Sequence, residues 1–174
     1  MSESSGISSQ VAISLGSNIR PELNLPAAVR ELRSAGEILA VSSVWESAPV
    51  GFADQANFLN AAVLLATRLR MEELKQTVLR PIEEKLGRVR VRDPGNVNAP
   101  RTIDLDISIF LSPAESLVLD EEILTRSFVA VPLAEVLPDF AHPETGQTLA
   151  EIARSFKFPN SELRPRPDCS LGPI

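Results

Sequence analysis

Residues 101–110 read RTIDLDISIF, and their alternation constrains the fold more than any other feature of the chain. Ile103, Leu105, Ile107 and Ile109 occupy every second position, the period of a strand with one buried face. Between them stand Thr102, Asp104, Asp106 and Ser108. Aspartate is depleted in strands, and two on one face have Cα atoms only roughly 6.5–7 Å apart. Carboxylates that approach within ~5 Å repel by about 1 kcal/mol even in water, and by several times that in a cleft. The segment therefore predicts a sheet with its apolar face under helices and its other face holding something positive beside Asp104 and Asp106. Arginines could supply that charge. So could Mg²⁺, which favours one or two carboxylates together with water and substrate phosphates. A water-facing strand with two solvated acids is the plain alternative.

The rest of the chain supplies the sheet and the helices. Residues 10–18 alternate Val11, Ile13 and Leu15 with small residues and end in a glycine-containing turn. Residues 24–36 predict a helix, with Asn24 as cap, Pro26 in the first turn, a stripe of Leu25, Ala28, Val29 and Leu32, and Gly36 as the stop. Residues 38–48 and 58–69 predict two further strands around a loop at 49–57. Residues 71–87 predict a second helix, in which Pro81 removes a backbone hydrogen bond and should kink or split the helix near residue 80. A loop at 91–100 leads into the opening strand. The order is β-α-β-β-α-β, so the expected fold class is α+β: a ferredoxin-like core whose antiparallel sheet carries two helices on one face. Residues 113–156 predict additional C-terminal elements, a short helix near PLAEVL and a last one from Thr148 to Phe156. The whole chain, 1–174, reads as a single domain with a flexible N-terminus at 1–9 and a loosely packed proline-rich tail at 157–174.

Charge and composition narrow the function. A net charge of −6 argues against general nucleic-acid binding, which needs a basic surface. No apolar run approaches the roughly 20 residues of a membrane span, and the first ten residues lack the pattern of a signal peptide. The lone Cys169 cannot form an internal disulfide. The expectation is a cytoplasmic protein, with no apolar stripe that would call for a dimer. Yet arginine outnumbers lysine fourteen to three, and Arg88, Arg90, Arg92 and Arg101 fall within fourteen residues. Arginine forks onto phosphate oxygens bidentately, so a small anionic ligand is the expected partner. His142, in an HPETG turn, reads as structural, and no side chain stands out as a covalent nucleophile.

The segment GRVRVRDPGNVNAPRTIDLDISIF (87–110), with ISLGSN (13–18), APVGFADQANFLNA (48–61) and RSFVAVPLAEVLPD (126–139), closely resembles the 6-hydroxymethyl-7,8-dihydropterin pyrophosphokinase family. The resemblance runs from about residue 10 to residue 150. It implies an ATP-dependent enzyme of folate synthesis that moves a pyrophosphoryl group from ATP to the pterin hydroxymethyl oxygen and releases AMP. Such a transfer calls for positioning and charge neutralisation more than covalent help.

The resemblance also assigns residues. Asp104 and Asp106 match aspartates that bridge two Mg²⁺ ions. Arg88, Arg90 and Arg101 match arginines facing the ATP phosphates, Arg126 joins them from the Arg-x-Phe segment, and Glu83 matches a glutamate on the nucleotide side. Phe58 and Phe128 match two aromatics that sandwich the pterin, and Phe58 stands where a tyrosine is often found. Asn60 matches the amide that reads the pterin edge, with Ser47, Pro49 and Val50 completing the pocket. Asn60 also stands out unaided, as a polar residue in the apolar run FLNAAVLLA, where a buried amide needs partners that a pterin could supply as both donor and acceptor. Asp120 stands where the family often has a phosphate-contacting histidine, and the loop 91–99 is longer than in the family's short forms. A non-catalytic nucleotide-binding module and a different Mg²⁺ phosphotransferase are the competing readings. Retention of both aspartates speaks against the first, and the identity of the product separates the second.

Overall fold

The computed structural model of the protein describes residues 8–51, 54–89, 99–157 and 162–173. In chain order its elements are β1 (Ser9–Ser17), α1 (Pro21–Leu32), β2 (Glu37–Val41), β3 (Trp45–Ser47), β4 (Phe58–Thr67), α2 (Met71–Leu74), α3 (Arg80–Lys85), β5 (Asp104–Leu111), β6 (Ser116–Val118), α4 (Ser127–Val136), α5 (Leu149–Ser155) and β7 (Leu163–Pro165). All pairings are antiparallel. β1 lies at the centre between β4 and β5. β6 extends the β5 side. On the other side β2 and β3 share the length of β4, and β7 adds to β3.

The expected second strand is thus two short ones. β2 pairs with residues 63–66 of β4 and β3 with residues 58–60. Between them the Ser42 hydroxyl accepts the Ala62 N–H at 2.8 Å, and its backbone N–H donates to Ala62 O at 2.9 Å. The first helix starts earlier than its sequence pattern suggested. Pro21 takes the first helical position, where its missing N–H costs nothing. Asn24 lies inside the first turn, donating to Ile19 O at 2.7 Å. Pro81 does not break the second helix. A π-helical turn at Lys75–Leu79 joins α2 to α3, and the wider turn accommodates the proline without ending the rod.

Each face of the sheet carries an apolar layer. Ile13, Leu15, Val63, Leu65, Ile103 and Leu105 face α1 and the α2–α3 rod. Ala12, Ala62, Leu64 and Ile109 face α4 and α5. Ile109 was expected beside Leu105, and a β-bulge is the reason it is not. Ala12 pairs with Ile109 but Ile13 with Ile107, so Ser108 is an extra residue in β5. Past it, Ile109 turns to the α4–α5 side and Phe110 joins Ile103 and Leu105.

The last helix opens on a capping box: the Thr148 hydroxyl accepts the Glu151 N–H at 3.2 Å, and Glu151 returns a carboxylate to the Thr148 N–H at 2.8 Å. The tail is not loose. Leu163–Pro165 forms β7 against β3, and Leu163, Cys169 and Leu171 are buried. No helix among the described residues is long and apolar enough to cross a membrane.

Candidate active site

The sheet face that carries α4 and α5 is only half covered. Toward one end of β1, β4 and β5 its side chains change from apolar to polar. Gly16 pairs with both Asn60 and Asp104, and Ser14 with Asp106. A cleft of about 390 Å³ opens there, with Gly16, Asn60 and Asp104 among its lining and the rings of Phe58 and Phe128 at its sides. Ser47 lines it from the end of β3 and Val50 from the loop that follows, and Arg101, Asp106, Asp120 and Arg126 also line it. Pro49 lies between two lining residues without lining the cleft itself.

Asn60 is buried, and its amide nitrogen is already engaged, donating to the Ser47 hydroxyl at 2.9 Å and to Trp45 O at 3.3 Å. It is therefore not available on both sides to a ligand, as its sequence setting had suggested. Its Oδ1 lies beside Gly16, where an added Cβ would come to 3.8 Å. On the far wall the Arg101 guanidinium sits 6.0 Å from the Phe58 ring centroid, at the limit of cation–π attraction.

The two aspartates do share a face, as the alternation required, but their surroundings differ. Asp104 is bracketed by arginines, Arg88 on Oδ1 and Arg101 on Oδ2. Asp106 opens onto the cleft and has none of the ion pairs found among the described residues. Partial loss of hydration against the cleft wall pushes its carboxyl up to about 6, reinforced by the negative charges of Asp104, Glu83 and Asp120 and opposed by Arg88.

Glu83 is not on the cleft surface. It is 1 % exposed, pairs with Arg88 and accepts the Leu105 N–H at 2.9 Å. A carboxylate so enclosed steers Arg88 and the start of β5; direct contact with a nucleotide would require it to leave both. Arg88 is likewise turned inward, between Glu83 and Asp104, with its side chain 13 % exposed. Arg90 and positions 91–98 of the loop lie outside the described residues.

A second cleft, about 590 Å³, runs along β5 on the side of the α2–α3 rod. Met71, Lys75 and Leu79 line it from the rod and Leu105, Ile107 and Leu119 from the sheet side. Lys75 and Leu79 belong to the π-turn before Pro81. Asp106, Asp120 and Glu122 line both clefts, which meet at these carboxylates.

Two features escaped the sequence reading, and a third residue, Asp120, stood out there only as an acid in place of a histidine. Asn18, one residue past β1, is buried and ties two loops together, donating to Gln55 Oε1 at 2.8 Å and Ala56 O at 3.1 Å while accepting the Arg101 N–H at 2.9 Å. Ser14 and Ser108 share a hydrogen bond of 2.6 Å beneath Asp106. Asp120 receives the Ser108 hydroxyl at 3.2 Å and the Glu122 N–H at 2.9 Å, fixing the wall common to both clefts. Asn18 gave one signal, a polar residue directly after an apolar strand. The serine pair gave none, because a bulge leaves no mark in the alternation.

Residues 12–138 match the family described as 7,8-dihydro-6-hydroxymethylpterin-pyrophosphokinase (HPPK). The chain belongs to this family. It is 35% identical over 163 residues to the 2-amino-4-hydroxy-6-hydroxymethyldihydropteridine pyrophosphokinase of Pseudomonas aeruginosa, covering 90% of this chain and 97% of that protein. It is 37% identical over 147 residues to the protein of the same name from Synechocystis sp., covering 80% and 72%. The folic acid synthesis protein fol1 of Pneumocystis carinii is 39% identical over 170 residues, 94% of this chain but 22% of that longer protein. Among solved structures, a Plasmodium falciparum HPPK-DHPS with pteroate superposes with a TM-score of 0.61 at 14% identity, over 84% of this chain and 42% of that one. At that identity the likeness concerns the fold. As an HPPK-family member, the chain is an ATP-dependent diphosphotransferase of folate synthesis.

Proposed function

We propose that the chain carries out this transfer between its two clefts, with ATP along β5 and 6-hydroxymethyl-7,8-dihydropterin against Phe58 and Phe128. The hydroxymethyl oxygen bonds to the β-phosphorus, the bond from that phosphorus to the oxygen bridging to the α-phosphorus breaks, AMP departs with the bridging oxygen, and the hydroxyl proton is released. The observation that carries this reading is the meeting of an aromatic-walled cleft and a second, elongated cleft at Asp106.

The donor set fits Mg²⁺ at Asp106, which carries no ion pair among the described residues, and at Asp104 once Arg88 and Arg101 turn from its oxygens to phosphate; glycine rather than a side chain stands opposite Asp104. Asp104 and Asp106 would hold two such ions, whose charge offsets that building on the transferred phosphates. Phe58 and Phe128 take the pterin between their rings, and Asn60 Oδ1 accepts from its edge while Ser47 and Trp45 keep the amide in place. Ser47, Pro49 and Val50 close the pocket rim. Arg101 and Arg126 reach the phosphates from the cleft wall, with Arg90 from the loop. Arg88, steered by Glu83, contributes beside Asp104. The strand order β5-β1-β4 followed by β2 and β3, both paired with β4, and α1 and the α2–α3 rod on one face, supports the ferredoxin-like reading of the core. A cytoplasmic setting, where ATP and Mg²⁺ are supplied, goes with this reaction.

The test is the product. Incubated with ATP, Mg²⁺ and the hydroxymethylpterin, the protein should release AMP in step with pterin diphosphate, and excess EDTA should stop it. Formation of ADP or of free pyrophosphate in place of AMP would overturn the reading.

A further inference from the structure

The C-terminal strap has a part that neither the motifs nor the clefts account for. β3 is three residues long, and a strand so short at a sheet edge has little hold of its own. β7 covers it, with Ser47 opposite Leu163 and Trp45 opposite Pro165, while on its other side Ser47 faces Phe58 and Trp45 faces Asn60. The strap thus lies directly behind the residues that hold Asn60. Arg166 fastens it. Its backbone N–H donates to Val44 O at 2.8 Å. Its guanidinium meets Glu46 at 2.7 Å, Asp168 at 2.8 Å and Glu22 at 3.5 Å. Glu46 carries the connection further: one carboxylate oxygen takes Arg166 and the other accepts the Asn57 amide at 3.2 Å. Asn57 is the last residue of the loop that follows Ser47 and carries Val50 to the cleft, and it immediately precedes Phe58.

We propose that the strap sets the position of this loop through the chain Arg166–Glu46–Asn57, making Arg166 a positioning residue for pterin recognition. A carboxylate held on one side by a guanidinium with two other acidic partners has few orientations left. Its second oxygen then presents a fixed acceptor to Asn57, and both ends of the 48–57 loop are anchored. The second cleft shares no residue with this chain, so the effect should fall on the pterin alone. The inference rests on the pterin reading of the first cleft.

Steady-state kinetics of the full-length chain test it. Arg166→Ala should raise the pterin KM about fivefold, the loss expected for the net worth of one ordinary hydrogen bond, with the ATP KM unchanged and kcat within a factor of about two. Asn57→Ala, an exposed substitution with little folding risk, should reproduce that rise, and Arg166→Lys should recover part of it. Val29→Ala, in the core beneath α1, provides a control that lowers stability without touching the chain of contacts. If Asn57→Ala left the pterin KM unchanged, or if Arg166→Ala raised the pterin and ATP KM values alike, the positioning role would be wrong. Failure of the underlying function would look different: the unaltered chain would then turn over no pterin at all.

Discussion

Asn18 and Arg101 hold each other through a reciprocal pair of hydrogen bonds: Asn18 N–H donates to Arg101 O at 3.1 Å, and Arg101 N–H donates to Asn18 Oδ1 at 2.9 Å. The Asn18 amide nitrogen meanwhile grips Gln55 and Ala56. One side chain therefore aligns the arginine on one wall of the cleft with the loop on the other.

Replacing Asn18 with alanine should unfasten both walls together. Buried partners would lose their hydrogen bonds, at a cost of about 1–3 kcal/mol in stability. A misplacement of Arg101 by even a fraction of an ångström should lower kcat/KM by about 10- to 100-fold. Urea denaturation and steady-state kinetics of Asn18→Ala measure the two effects. A stability loss with unchanged kinetics would confine Asn18 to the fold.

Asp106 should make the metal-free protein less stable at neutral pH than at mildly acidic pH. Its carboxyl is pushed up to about 6 in the folded chain, above its unfolded value, so folding favours the proton. The penalty is absent below the unfolded value, grows as pH rises between the two, and is complete above about 6. Asp106→Asn should therefore stabilise the protein at pH 7.5, by no more than about 1 kcal/mol after allowance for screening at an open cleft, and hardly at all below pH 4. The same variant should lose at least ~10²-fold in turnover. Thermal melts in EDTA at several pH values, with activity assays beside them, check both halves.

Arg101 should not be replaceable by lysine. Its Nη1 binds Asp104 while its planar head stands 6.0 Å from the Phe58 ring centroid. An ammonium keeps the charge but neither the plane nor the second donor. Arg101→Lys should fall about 10-fold or more in kcat/KM, read from initial rates at subsaturating ATP. Wild-type rates would reduce Arg101 to a simple counter-charge.

The two rings should separate the two ligands. Phe128→Ala should weaken pterin binding about 5- to 10-fold, on the scale of a lost stacking contact, while affinity for a non-hydrolysable ATP analogue stays the same. Calorimetric titration with each ligand decides it. If the fold lost stability and pterin affinity did not change, Phe128 would belong to the core under α4, against which it also packs.

How much of this was legible in advance depended on the range of the interaction. The alternation at 102–107 placed Asp104 and Asp106 on one face because a strand's period is local. The helices were legible for the same reason, from their stripes. Ser47, Val50, Phe58, Asn60 and Phe128 reached the page through motifs, and the structure brings all five to one cleft. What stayed hidden depends on pairing between distant segments. Glu83 was matched to a glutamate on the nucleotide side, but the N–H it accepts belongs to Leu105, which follows a long loop. The tail looked loose because prolines and charges dominate it, and only the unpaired edge of β3 gives it a place to dock. Asn60 was rightly singled out as polar among apolar neighbours, but its partners Ser47 and Trp45 sit on another strand.

The extra residue at Ser108 has a consequence for what β5 can tolerate. Counted back from Ile109 with Ser108 as an ordinary ladder residue, every second position would be Ile107, Leu105 and Ile103, and these would line the cleft while both aspartates were driven under α1. A single bulged residue keeps the two ends of one strand out of phase, so that an acidic floor and an apolar ceiling can share a face. The phase of side chains along 104–111 is thus set by whether Ser108 stays outside the ladder. Deleting Ser108 would leave Ile109, Asp106 and Asp104 in regular alternation on the cleft face, whereas drawing Ser108 into the ladder would turn both carboxylates away from the cleft without losing a single aspartate from the sequence.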